Sequence, residues 1–320
     1  MTHKYQQEHL ENLNKLSELH YVVHGNEELL GDIFSSVSAS VLKGAKIAGG
    51  AVVDGVVTLF KKANRTLVLS YGEYKTQFNR AMGKVKENDE EGIKFSKTVL
   101  AKLTATGKQD DLIDDLKVLI ATLKDVDKYR LEVETFYQKE LSLFSDYKSV
   151  KSTDSAVALI KKLDGLNYPT LSLKHKHDSM SKSEVLPGGK VIVYDNNKHN
   201  YSIDSESVTG EESDDMYPND KVKEVIKLLF DLDEIYRVVN KANDNYVQYL
   251  EKFNTVVKDA FAHISGLEGE ISTSLLRDLQ SRLEGNANVF HFYSGFLPRV
   301  MTYVDGVMST ASEFINKQFN

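Results

Sequence analysis

The feature that most constrains this chain is the stretch from Asp110 to Val150, which contains neither Gly nor Pro. Within it Leu112, Leu116, Leu119, Leu123, Val126, Leu131, Val133, Phe136, Tyr137, Leu141 and Phe144 recur at near-helical spacing. Such spacing predicts one long amphipathic helix. Asp110 and Asp111 stand at its start, where the helix dipole favours acidic groups. A second run behaves the same way. From Asn219, a capping residue followed by Asp220, apolar residues including Val222, Ile226, Leu229, Ile235, Val238 and Val257 continue to about Ile264. Unbroken, that helix would be roughly 70 Å long at 1.5 Å per residue.

Elsewhere the pattern is also mostly helical. Tyr5, Leu10, Leu13, Leu16 and Leu19 mark an N-terminal helix that breaks at His24-Gly25-Asn26. Leu67, Tyr71, Tyr74, Phe78, Met82 and Val85 mark another, and Ser155–Leu163 a shorter one. A last helical block runs from Leu275 to Phe319, with Pro298 expected to kink or break it. Only residues 167–218 read differently. Three of the four prolines (Pro169, Pro187 and Pro218) lie there. Leu171–Leu173, Lys190–Tyr194 and Asn200–Ile203 alternate, with a turn at Asp195-Asn196-Asn197. The acidic stretch from Asp204 to Asp215 reads as a solvated flexible loop. The expected fold is therefore mainly α: an elongated bundle of long antiparallel helices with a small inserted β-hairpin element. The expected segments are an N-terminal helix over 1–25, a helical body over 26–166, a β insertion over 167–218 and long C-terminal helices over 219–320.

Composition narrows function mainly by exclusion. The absence of Cys removes disulfides, thiolate metal sites and a cysteine nucleophile. Forty Lys and Arg against 47 Asp and Glu give a net charge of −7, so nucleic acid is not indicated as a partner. The first residues, MTHKYQQEHLENLNKL, lack the apolar core of a secretory signal. No dinucleotide fingerprint, P-loop, His-Glu-x-x-His or Gly-x-Ser-x-Gly occurs, and no Glu-x-x-His pair of the helical di-iron type. The expectation is a protein that is not an enzyme, with no catalytic residue and no cofactor.

Two groups of residues stand out. His175 and His177 fall on one face of a strand, and His199 lies across the expected hairpin turn. Three imidazoles would suit a divalent metal, but Lys174 and Lys176 beside them favour a solvated polar strand. The second group is glycine-rich. Gly44 and Ala48, then Ala51 and Gly55, are small residues four apart, with Gly49-Gly50 between them, inside the apolar segment 41–60. Small residues let helix backbones approach closely, and four glycines cost helix stability, up to ~1 kcal/mol each against Ala. A tight helix crossing would offset that cost. The alternative is a membrane-active segment over 33–60, although Asp54 within it disfavours stable insertion.

His20-Tyr-Val-Val-His-Gly-Asn-Glu-Glu-Leu-Leu-Gly-Asp-Ile-Phe-Ser-Ser36 and Ser183-Glu-Val-Leu-Pro-Gly-Gly-Lys190 resemble segments of internal virion proteins of phiKZ-like giant tailed phages. The resemblance covers under a tenth of the chain. It implies a structural protein of the phage head interior, packaged with the DNA and open to delivery with it into the host cell. Its partners would be other virion proteins or further copies of itself. Head proteins of that kind are often trimmed after a small residue, any residue and Glu; the clearest such site here is Ala311-Ser312-Glu313. The competing function is a membrane-active helical protein, of the pore-forming or translocation type, using residues 33–60.

Overall fold

The computed structural model describes residues 74–86, 92–197, 200–211, 215–265, 292 and 296–318. These residues are mainly helical with a small antiparallel sheet. In chain order they form α1 (74–86), β1 (Gly92–Ile93), α2 (Lys97–Leu103), α3 (Leu112–Ser145), α4 (Thr153–Asp164), β2 (His175–His177), β3 (Met180–Lys182), β4 (Lys190–Asp195), β5 (Asn200–Ser205), β6 (Tyr217–Pro218), α5 (Asn219–Ser265) and α6 (Leu297–Gln318). One compact unit holds the described residues of 132–169 and 242–295. The other holds those of 67–131, 170–241 and 296–320.

The two long helices form where the apolar spacing places them. α3 is 34 residues long and α5 is 47. Short 3-10 turns at Gln109–Asp111 and Asp146–Ser149 flank α3. α4 has a reciprocal cap: the Ser155 amide donates to Ser152 Oγ, and the Ser152 amide donates to Ser155 Oγ at 2.9 Å. Both hydroxyls thus satisfy donors that a helix start leaves open. Pro298 lies in the first turn of α6, two residues after Phe296, which has π-helical backbone; residues 293–295, on which a kink or break there would bear, lie outside the described residues.

In the second unit α3 and α5 run in the same direction. Asp110, just before α3, pairs with Lys221, and Lys117 pairs with Glu224 at 3.1 Å. The antiparallel packing expected of the long helices therefore does not hold for this pair. The reason is the connection: a chain of 73 residues, from Asp146 to Pro218, returns to the starting end before α5 begins. A return of that length frees the second helix from the antiparallel arrangement that short loops impose. α6 does run against α5. Phe314 stacks on Phe95, whose ring meets Tyr217 at the start of α5, while Asp305 acts on Tyr236 two-fifths of the way along.

The inserted β element is a four-stranded antiparallel sheet in the order β2-β3-β4-β5. Asp178, at φ 52°, turns β2 into β3. Asn196 closes the β4 end: its side chain accepts from the Leu171 amide at 2.7 Å and donates to the Leu171 carbonyl at 3.0 Å. Ile192, Val193 and Tyr194 of β4 are buried. The Tyr194 hydroxyl meets that of Tyr129 at 3.0 Å, and its ring packs on Phe296. The sheet is thereby tied to α3 and to the residue preceding α6.

The described part of the acidic stretch after β5 keeps its acidic side chains exposed, while its backbone is anchored. Glu206 donates its amide to Gly189, and Glu211 donates to Gly107. Gly210 lies so close to the start of α2 that a Cβ would stand 1.9 Å from the Lys97 carbonyl oxygen. Gly107, at φ +85°, takes the left-handed conformation that this approach requires.

The core of the second unit is built from Phe78, Phe95, Leu116, Leu123, Ile226, Leu229, Val304 and Met308, all buried. The core of the first unit gathers Phe144, Val150, Ala156, Leu159, Leu163 and Ala260. There His263 bonds the Val150 carbonyl at 2.8 Å and its ring meets Tyr147.

Candidate functional site

Two sites in the second unit merit attention, one inside the helices and one on their surface. The internal site is polar. Tyr74 of α1 donates its hydroxyl to the buried Asp305 carboxylate of α6 at 2.9 Å. Burial first, and the Asp305 charge second, push the Tyr74 hydroxyl far above its ordinary pKa, so it stays a donor. Beside it on α5 lie Asp233, Tyr236 and Asn240, all buried. Burial, then the Asp305 charge, likewise raise Tyr236. Arg237 donates to Asp233 Oδ2 at 2.9 Å, while Asp233 Oδ1 has no hydrogen-bond partner among the described residues. Burial pushes the Asp233 carboxyl from 3.8 up to about 6, against the pull of Lys75. Further along α6, Ser312 bonds Gln77 of α1, and Asn316 donates to the Ser312 carbonyl at 2.9 Å. These bonds fix the axial alignment of α1 with α6, because a slip of one turn would leave buried polar groups unmatched.

The surface site follows from the parallel course of α3 and α5. A groove of about 500 Å³ runs between them, lined by Lys124, Asp127, Lys128 and Leu131 of α3 and by Asp231, Glu234, Ile235 and Val238 of α5. Leu131 and Val238 are each 49% exposed, large apolar side chains on the otherwise charged outer faces of their helices. Asp127 is engaged by Arg130 at 2.7 Å. Lys124, Lys128, Asp231 and Glu234 form no ion pair within 4.0 Å among the described residues, whereas Lys117 and Glu224, one heptad earlier, do. The groove therefore presents an apolar strip flanked by two cations on one helix and two carboxylates on the other.

Sequence periodicity placed Leu131, Ile235 and Val238 on core stripes, and so missed the groove. The available signal was stripe width: Ile226, Leu229, Leu232, Ile235 and Val238 recur every three residues and sweep about 240° around the helix, more than one buried face needs.

His175 and His177 both lie on β2 and are exposed. His177 Nδ1 lies 3.1 Å from Asp178 and His175 Nε2 lies 3.6 Å from Glu184. Across the sheet the register runs His177, Met180, Asp195, Asn200. Asn200 therefore stands three strand spacings, about 14 Å, from His177. His199 itself lies outside the described residues, as do Gly44, Ala48, Gly49, Gly50, Ala51 and Gly55 and the whole segment 33–60. Among the described residues no group of three His, Cys, Asp or Glu is arranged to hold a metal ion, and no helix is long and apolar enough to cross a membrane.

No known protein family, curated protein or solved structure matches this chain.

Proposed function

We propose that the chain is a non-enzymatic interaction protein that works by helix packing. Its most specific form is the one the phiKZ-like resemblance implies: an elongated helical component of the head interior of a large tailed phage, in contact with other virion proteins or with copies of itself.

The observation that supports this reading is the α3/α5 groove. An exposed apolar strip between rows of unspent opposite charge is what a contact face needs: apolar area for affinity, and charge for orientation and register. The buried carboxylates serve a different end. Asp305 accepts the Tyr74 hydroxyl and so links α6 to α1, while Asp233 is bonded by Arg237 one turn on within α5.

Mass spectrometry of tailed-phage particles produced from the encoding genome, before and after triggered DNA ejection, tests the virion role. Peptides of this chain are expected in full particles, and their loss on ejection would mark it as delivered with the DNA. Their absence from full particles would refute the virion role.

A further inference from the structure

We infer that the α3/α5 groove is the contact face of a two-fold dimer, with a second copy of this chain as its occupant. This deepens the interaction reading above and rests on it.

The inference comes from the register of the charges. Lys117 and Glu224 lie level with each other on the two parallel helices, an offset of 107 residues. The same offset sets Lys124 level with Asp231 and Leu131 level with Val238, with Lys128 beside Ile235; Glu234 is level with Asp127, whose charge Arg130 offsets at 2.7 Å, and one residue below Lys128. A two-fold axis parallel to both helices lays α3 of one copy over α5 of the other, in the same direction and at the same height. Lys124 then faces the second copy's Asp231, and Lys128 approaches the second copy's Glu234. Leu131 meets the second copy's Val238. Every contact occurs twice, as an isologous interface requires. A two-fold axis perpendicular to the helices and lying in the face would instead set α3 on α3 and α5 on α5. It would oppose lysine to lysine and carboxylate to carboxylate, a juxtaposition that costs affinity. The charges thus select one arrangement of the pair.

The face is small. From the level of Lys117 to that of Leu131 is about 21 Å along the helices. Two helices packed 8–10 Å apart present about 20 Å of width, so roughly 400 Å² is covered on each copy. That falls in the weak, transient class of interfaces. Dimerisation is therefore expected only at concentrations on the order of 100 µM and at low salt, where exposed ion pairs retain their strength.

The test is sedimentation equilibrium of the full chain up to about 1 mM, with two charge-reversed variants: K124E/K128E and D231K/E234K. All four side chains are exposed, so helicity measured by circular dichroism should not change. The unmodified chain should dimerise. Each variant alone should remain monomeric, because its two ridges now carry the same charge. Mixed in equal amounts, the two variants should restore dimerisation, since the all-acidic face of one fits the all-basic face of the other. A chain that stays monomeric throughout would overturn the inference. So would a dimer indifferent to either variant, or a mixture that fails to pair. If the chain is monomeric in solution while Lys124 and Lys128 are shielded in native assemblies, another protein occupies the groove: the dimer falls and the interaction reading stands.

Discussion

Replacing Asp233 with Asn should alter how stability depends on pH. Asp233 is fully buried on α5 and its carboxyl titrates near pH 6 in the folded chain, against 3.8 ordinarily. The folded state therefore holds this proton more tightly than the unfolded state does. The sign is the reverse of the usual carboxylate: the contribution is complete below about pH 3.8 and is lost as pH rises towards about 6. At about 1.4 kcal/mol per tenfold change in affinity, the full displacement is worth about 3 kcal/mol. About 2 kcal/mol of that should be lost between roughly pH 4.5 and pH 7. Arg237, bonded to Oδ2, and Lys75 oppose the displacement. Tyr74, Tyr236 and Asp305 are the titratable groups that share the cluster among the described residues. Asp115 contributes in the same direction, its carboxyl also being raised by burial. Urea unfolding at the two pH values, on the unmodified chain and on Asp233→Asn, isolates the one residue. The unmodified chain should lose about 2 kcal/mol more than the variant on going to pH 7. Parallel pH profiles would show that Asp233 is ionised at no cost, and the account of the buried cluster would be wrong.

Two further substitutions probe the packing. Tyr74→Phe removes the hydroxyl that donates to the buried Asp305 carboxylate and should cost about 1–3 kcal/mol; an unchanged urea midpoint would deny the bond any role. Gly210→Ala would drive a Cβ into the Lys97 carbonyl oxygen and should cost about 1–3 kcal/mol by overpacking, with a lower melting temperature; full stability would mean that the loop is not seated on α2.

What the sequence disclosed and what it withheld divide along physical lines. α3, α4 and α5 were legible because each depends on local spacing: apolar residues in phase and no Gly or Pro to interrupt them. The β region was legible as alternation around Asp195-Asn196-Asn197, but not as four strands. β2 is His-Lys-His, whose side chains are all exposed and give no alternation to detect. The direction of α5 relative to α3 depends on a 73-residue return path, which no local pattern encodes. The described acidic side chains of the stretch after β5 are exposed, as its charge suggests; what local charge does not show is that glycine contacts joining residues about a hundred positions apart seat its backbone. The groove was hidden for a different reason. Leu131 and Val238 keep apolar spacing with neighbours three or four residues away, yet each lies on the exposed face of its helix, beside Lys128 and Glu234.

Lysine footprinting tests most directly whether this chain works through its α3/α5 face. Native assemblies isolated from the cells that make it, and the isolated chain at low concentration, would be acetylated under identical conditions and the modified residues read by mass spectrometry. Lys124 and Lys128 should lose reactivity in the assembly, while Lys176, exposed on β2, should react equally in both. Equal acetylation of Lys124 and Lys128 in the two states would contradict the account.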